Sequence, residues 1–98
     1  MPERKPASAE LERFVDEMLQ LARAHGYHPT VFVAMRHQLG VVEAISRLVQ
    51  SGDLQSGFKH LVGLGLKDWT IEAAVLKFPN EFSRNARECA EFRLAQAR

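Results

Sequence analysis

Apolar residues recur along this chain at helical spacing and break off at glycines and prolines. Leu11, Phe14, Val15, Met18 and Ala22 stand at i, i+3, i+4, i+7 and i+11, and Leu19 and Leu21 widen the stripe. Glu12, Arg13, Asp16, Glu17, Gln20 and Arg23 fall mostly on the other side, so one face of a first helix is predicted to enter a core. Ser8 is placed to cap that helix by accepting a bond from the first turn. Gly26, after His25, is placed to end it in a left-handed conformation. Pro29 then reads as the first position of a second helix, where its missing N–H costs nothing. Phe32, Met35, Arg36 and Leu39 set the period there, outvoting the strand-like run Val31-Phe32-Val33, and Gly40 stops it.

A third helix follows almost without a loop, with Val42, Ile45, Leu48 and Val49 on one face. So short a connection predicts helices that meet at an angle or pack antiparallel. Ser51-Gly52-Asp53 reads as a turn, and Ser56 as the cap of a short fourth helix carrying Phe58, Leu61 and Val62, closed by Gly63 and Gly65. Asp68 or Thr70 caps a fifth helix with Ile71, Ala74, Val75 and Phe78 on its apolar face. Pro79 ends it, because the residue before proline is driven out of the helical region. Ser83 caps a last helix with Ala86, Cys89, Ala90 and Ala97 inward. The pattern predicts an all-α fold: one compact bundle of five or six short helices over residues 8–98, behind a flexible lead-in at 1–7 that holds Pro2 and Pro6.

Composition agrees. Strong helix formers (Ala, Leu, Glu, Lys, Gln, Arg, Met) number 53 of the 98 residues, against twelve Val, Ile and Thr. At 46% hydrophobic and a formal net charge of +1, the chain is too apolar and too nearly neutral for disorder. It also lacks the excess positive charge that marks an electrostatic nucleic-acid binder. A single cysteine excludes a disulfide framework and a four-thiolate metal site. No apolar run reaches the roughly 20 residues that cross a bilayer, so a soluble, cytoplasmic domain is expected.

Candidate chemistry is sparse. His25 and His28 are three apart but straddle a helix end bracketed by Gly26 and Pro29, while His37 and His60 lie elsewhere. No metal site is expected, and His25 reads as a cap on the first helix's last carbonyls, where a cation is favoured. Cys89 has no histidine near it in sequence and Arg87 points away, so it reads as a structural thiol rather than a nucleophile. Gly57, Gly63 and Gly65 lack the lysine and hydroxyl of a phosphate cradle and read as helix punctuation. Neither a cofactor nor an enzymatic activity is expected.

Two binding readings remain. The last helix is the basic element, with Arg84, Arg87, Arg93 and Arg98 against Glu88 and Glu91, and Arg87 placed to pair with Glu91. A DNA- or RNA-binding role would use Arg84, Arg87 and Arg93, but brings little charge for phosphate contacts. The helices around Gly40 suggest a helix-turn-helix, yet the second offers Glu43, Ser46, Arg47 and Gln50 outward, only one of them cationic. Protein contact is favoured instead. Trp69 sits at a helix start, Phe78 just before Pro79, and Phe92 off the inward face of the last helix; aromatics outside a core stripe mark partner surfaces. With Arg84 and Arg87 they form the expected partner-binding edge, and the last helix could pair with its copy, leaving monomer and homodimer both open.

The run Gly26-Tyr27-His28-Pro29-Thr30-Val31-Phe32, continuing through Met35 and Gly40 to Val42-Glu43-Ala44, resembles the opening of a small all-helical bacterial domain. Ser56-Gly57-Phe58 with Leu61, Leu66 through Thr70-Ile71-Glu72-Ala73, Phe82, and Ala90 with Arg93-Leu94 match its later signatures, so the resemblance spans roughly residues 11 to 97. That domain occurs alone and fused behind nuclease and restriction-type proteins, and brings no catalytic residues with it. The resemblance implies an accessory or adaptor role in bacterial or phage defence or counter-defence, including direct inhibition of a defence nuclease. It makes Tyr27, Pro29, Phe58 and Glu72 architectural. Two departures add aromatic and basic character at one edge: Trp69 replaces the domain's usual leucine or methionine, and Ser83-Arg84-Asn85 its usual acidic turn.

Overall fold

The computed structural model describes residues 6–51 and 56–97, with the side chain of Ser56 outside that description. Six α-helices follow in order among them: α1 (Ala9–Ala24), α2 (Thr30–Leu39), α3 (Val41–Val49), α4 (Ser56–Gly63), α5 (Ile71–Lys77) and α6 (Arg84–Gln96). Two 3-10 turns, Lys67–Trp69 and Pro79–Glu81, precede α5 and α6. There is no strand among the described residues, so the all-α bundle holds. The turn expected at Ser51-Gly52-Asp53, the cap expected of Ser56 and the first five residues of the lead-in lie outside the described residues.

The caps explain the boundaries. Ser8 Oγ accepts from the Leu11 amide at 3.1 Å, Thr70 Oγ1 from Ala73 at 3.1 Å and Ser83 Oγ from Ala86 at 3.2 Å. Thr70, not Asp68, therefore caps α5, and Asp68 falls inside the 3-10 turn. Pro29 is the cap of α2 rather than its first residue. α1 and α4 end alike: Gly26 and Gly65 take φ near +80°, and the amides of Tyr27 and Leu66 reach back to the carbonyls of Ala22 and Leu61, each at 2.9 Å. His25 Nδ1 adds a bond to Leu21 O at 2.9 Å, as a C-terminal cap should.

α2 packs mainly on α3, and α5 on α6, with α1 and α3 joining the two pairs through α5. Leu11, Val15, Ile45, Val49, Ala74, Val75, Ala86 and Ala90 are essentially sealed from solvent at the centre. Ala7 packs against this core, so the end of the lead-in is already part of the fold. The Ser8 amide and hydroxyl both donate to the Glu81 carboxylate, at 2.7 and 2.6 Å, tying the start of α1 to the turn before α6. Arg36 on α2 bridges to Glu12 at 2.8 Å and Asp16 at 3.0 Å on α1. Burial works against the Arg36 charge, but those two carboxylates outweigh it and raise its pKa.

Phe58 and Leu61 of α4 are buried yet stand outside the principal core cluster. They face a cavity that separates α4 from the rest of the bundle.

Candidate functional site

α5 begins at Ile71 behind its cap Thr70, which sets Glu72 in its first turn with no exposed surface at all. Its Oε2 accepts from Arg93 Nη1 at 2.9 Å, and Arg93 is itself only 6% exposed. The same guanidinium donates to Leu48 O at 3.0 Å and Ser51 O at 2.6 Å, closing the end of α3. Glu72 Oε1, equally buried, accepts no hydrogen bond from another residue among the described ones. Burial pushes the Glu72 carboxyl above its ordinary range, opposed by Arg93 and the residue's own amide.

Glu72 lines a cavity of about 340 Å³ walled by Met18, Leu19, Phe32, Leu48, Phe58 and Leu61. Exposed residues His28, Thr30 and Val31 stand at its rim, so it opens to solvent between α1 and α2. Tyr27 and His60 stack beside it, 4.7 Å between ring centroids. Gly57 acts here as more than punctuation, because a Cβ on it would strike the Tyr27 hydroxyl.

The expected partner-binding residues do not form one surface. Trp69 stacks on Phe14 at 4.9 Å and 15°, and Phe78 meets the same ring edge-on at 5.9 Å. Lys77 Nζ sits 5.2 Å from the Phe14 centroid. Both aromatics are half-buried covers over the core edge, using ring geometries that contribute beyond the area they bury. Phe92 differs: it is 66% exposed, beside a shallow groove lined by Val49, Cys89 and Gln96.

The basic helix is also largely engaged. Arg93 is buried, Arg84 pairs with Glu88 at 2.9 Å, and Arg87 donates to the carbonyls of Pro79 and Phe82 at 3.1 and 2.9 Å. The Arg87–Glu91 pair expected from spacing is replaced by this capping of the 3-10 turn. Cys89 is half-buried. No set of three or more metal-ligating side chains gathers among the described residues. Nor is any helix among them long and apolar enough to cross a membrane.

What the residue pattern missed is the Glu72–Arg93 pair. The signal existed in part: Ala86, Ala90 and Arg93 stand at i, i+4 and i+7, which puts a guanidinium on the inward stripe of α6. Comparison with known protein families, curated proteins and solved structures gives no match for this chain.

Proposed function

We propose that this chain is a non-enzymatic, cytoplasmic protein-binding module whose partner is a nuclease-related or defence-related protein. The observation that carries the reading is Phe92: a large aromatic, 66% exposed on α6, bordering an apolar groove. Desolvating such a ring on a partner is a common anchor of protein interfaces. The nature of the partner rests on the resemblance of residues 11 to 97 to a domain appended to nuclease-type proteins. Nucleic-acid binding through α6 has less support, because Arg93 and Arg87 donate within the fold and Arg84 faces Glu88.

The test is capture by the whole chain from a bacterial lysate treated with nuclease, run beside Phe92→Glu. A protein retained by the parent and lost with the variant is expected. Equal retention by both, or retention that disappears on nuclease treatment, overturns the proposal. Adding the chain to the captured partner in a cleavage assay separates an inhibitor, which blocks cutting, from an adaptor, which does not.

A further inference from the structure

We infer that the cavity between α4 and the rest of the bundle is a binding site for a small neutral amphiphile, with its hydrocarbon body inside and one uncharged polar end at the mouth. The protein-binding role of Phe92 uses none of the residues involved. α4 contributes Phe58 and Leu61, which are buried yet face this space instead of the principal core. The gap between α4 and the bundle is set by a packed contact: the Tyr27 ring stacks on His60 at 4.7 Å, and its hydroxyl lies against Gly57. Protein interiors are otherwise close-packed, so an apolar space braced open in this way is one that an apolar body completes.

The lining is graded from carbon to polar, and the grading selects the ligand. Met18, Leu19, Phe32, Phe58 and Leu61 form its buried part. Thr70 and Glu72, the buried polar residues among the lining, have no exposed surface, so neither offers a hydrogen bond to a guest. A polar group carried inward would lose its water and gain no partner. Among the described residues, the exposed lining is His28, Thr30 and Val31, which stand together at the start of α2 with Tyr27 beside them. They offer imidazole and hydroxyl groups to a polar end, and no lysine, arginine or exposed carboxylate to pair with an ionic one. Val31, 66% exposed, carries apolar surface out to the rim. Size completes the description. An apolar cavity of about 150 Å³ holds one benzene ring, so about 340 Å³ takes roughly six to ten carbons.

The experiment is amide NMR of the whole chain titrated with n-butanol, n-hexanol, n-octanol, n-decanol and n-dodecanol, and in parallel with octanoate. The alcohols should give saturable shifts concentrated at Leu19, Phe32, Phe58 and Leu61. Affinity should rise about fourfold per added methylene, the usual worth of burying one, and level off once the chain fills the cavity. Octanoate should bind several-fold more weakly than n-octanol, because its charge meets no counter-ion at the mouth. Leu48→Ala, which enlarges the cavity, should move the levelling-off to a longer chain, and Leu48→Phe should move it to a shorter one. Absence of saturable shifts with every alcohol, affinity that climbs through the whole series without levelling, or tighter binding of octanoate than of n-octanol overturns the inference. So does a break at the same chain length in both folded variants. The readouts on the parent chain need neither variant to fold.

Discussion

Glu72 and Arg93 carry most of what is unusual at the level of single residues. Taking both charges out of water is costly, and their mutual contact together with the carbonyls of Leu48 and Ser51 offsets that cost. Removing one member strands the other. Glu72→Ala should therefore lose about 3 to 5 kcal/mol in urea unfolding, whereas Glu72→Leu with Arg93→Met should recover most of the loss. The pair also sets a pH dependence. The folded-state pKa of Glu72 is raised, so the folded chain holds a proton there that the unfolded chain has released. Its stabilising contribution is complete below the ordinary carboxylate range and fades as pH climbs through the raised folded-state value. The difference in unfolding free energy between the parent and Glu72→Gln should accordingly shift against the parent over that interval, and a flat difference would contradict it. Arg93 reads from the sequence as a surface cation of the basic helix, although its spacing from Ala86 and Ala90 puts it in an inward register. Its partner was not legible, because the packing of α5 on α6 decides which acidic residue it meets, and no one-dimensional period contains that.

Among the elements, boundaries were the most readable feature, because Ser8, Thr70, Ser83, Gly26 and Gly65 each act through local chemistry within a few residues. The two 3-10 turns were not readable; they are tied by bonds to groups distant in sequence, Glu81 accepting from Ser8, 73 residues away, and Lys67 donating to the Ala97 carbonyl, 30 residues away. For the same reason Trp69 and Phe78 looked like partner-facing aromatics until Phe14 was found between them. Gly40 joins α2 to α3 at φ 85° and ψ 165°, a conformation essentially reserved for glycine. Gly40→Ala should cost about 1 to 3 kcal/mol by thermal or chemical unfolding. Gly63 offers the opposite case: it is helical, its φ is not positive, and a Cβ there would meet nothing within 4 Å. Gly63→Ala should stabilise by about 0.4 to 1 kcal/mol, mainly by restricting the unfolded chain. The same sign for both substitutions would contradict this account of the two junctions.

For the whole molecule, a radius of gyration of 12.5 Å matches the value of about 12.6 Å expected for a globule of this length. Among the described residues, the exposed large apolar side chains are Val31 on α2, Leu76 on α5 and Phe92 on α6, scattered singly rather than joined. A stable homodimer needs roughly 1,200 Å² of total buried surface, more than isolated side chains supply. Light scattering should thus return the 11.1 kDa monomer mass at micromolar concentration, and a mass twice that, reverting to the monomer in Phe92→Glu, would assign Phe92 to a copy of the chain. The near balance of charge was readable from composition, but its inward turn at Arg93 removes one cation from the surface that composition had placed there. The reach of that arginine has a kinetic consequence too. Its partners Leu48, Ser51 and Glu72 lie 45, 42 and 21 residues away in sequence. Contacts so distant along the chain are rewarded only after long loops have closed, so they form late on the folding path. Interactions absent from the transition state act on the rate of unfolding and barely on the rate of folding. Arg93→Met with Glu72→Leu, which removes this latch between three helices, should therefore change the rate of unfolding far more than the rate of folding.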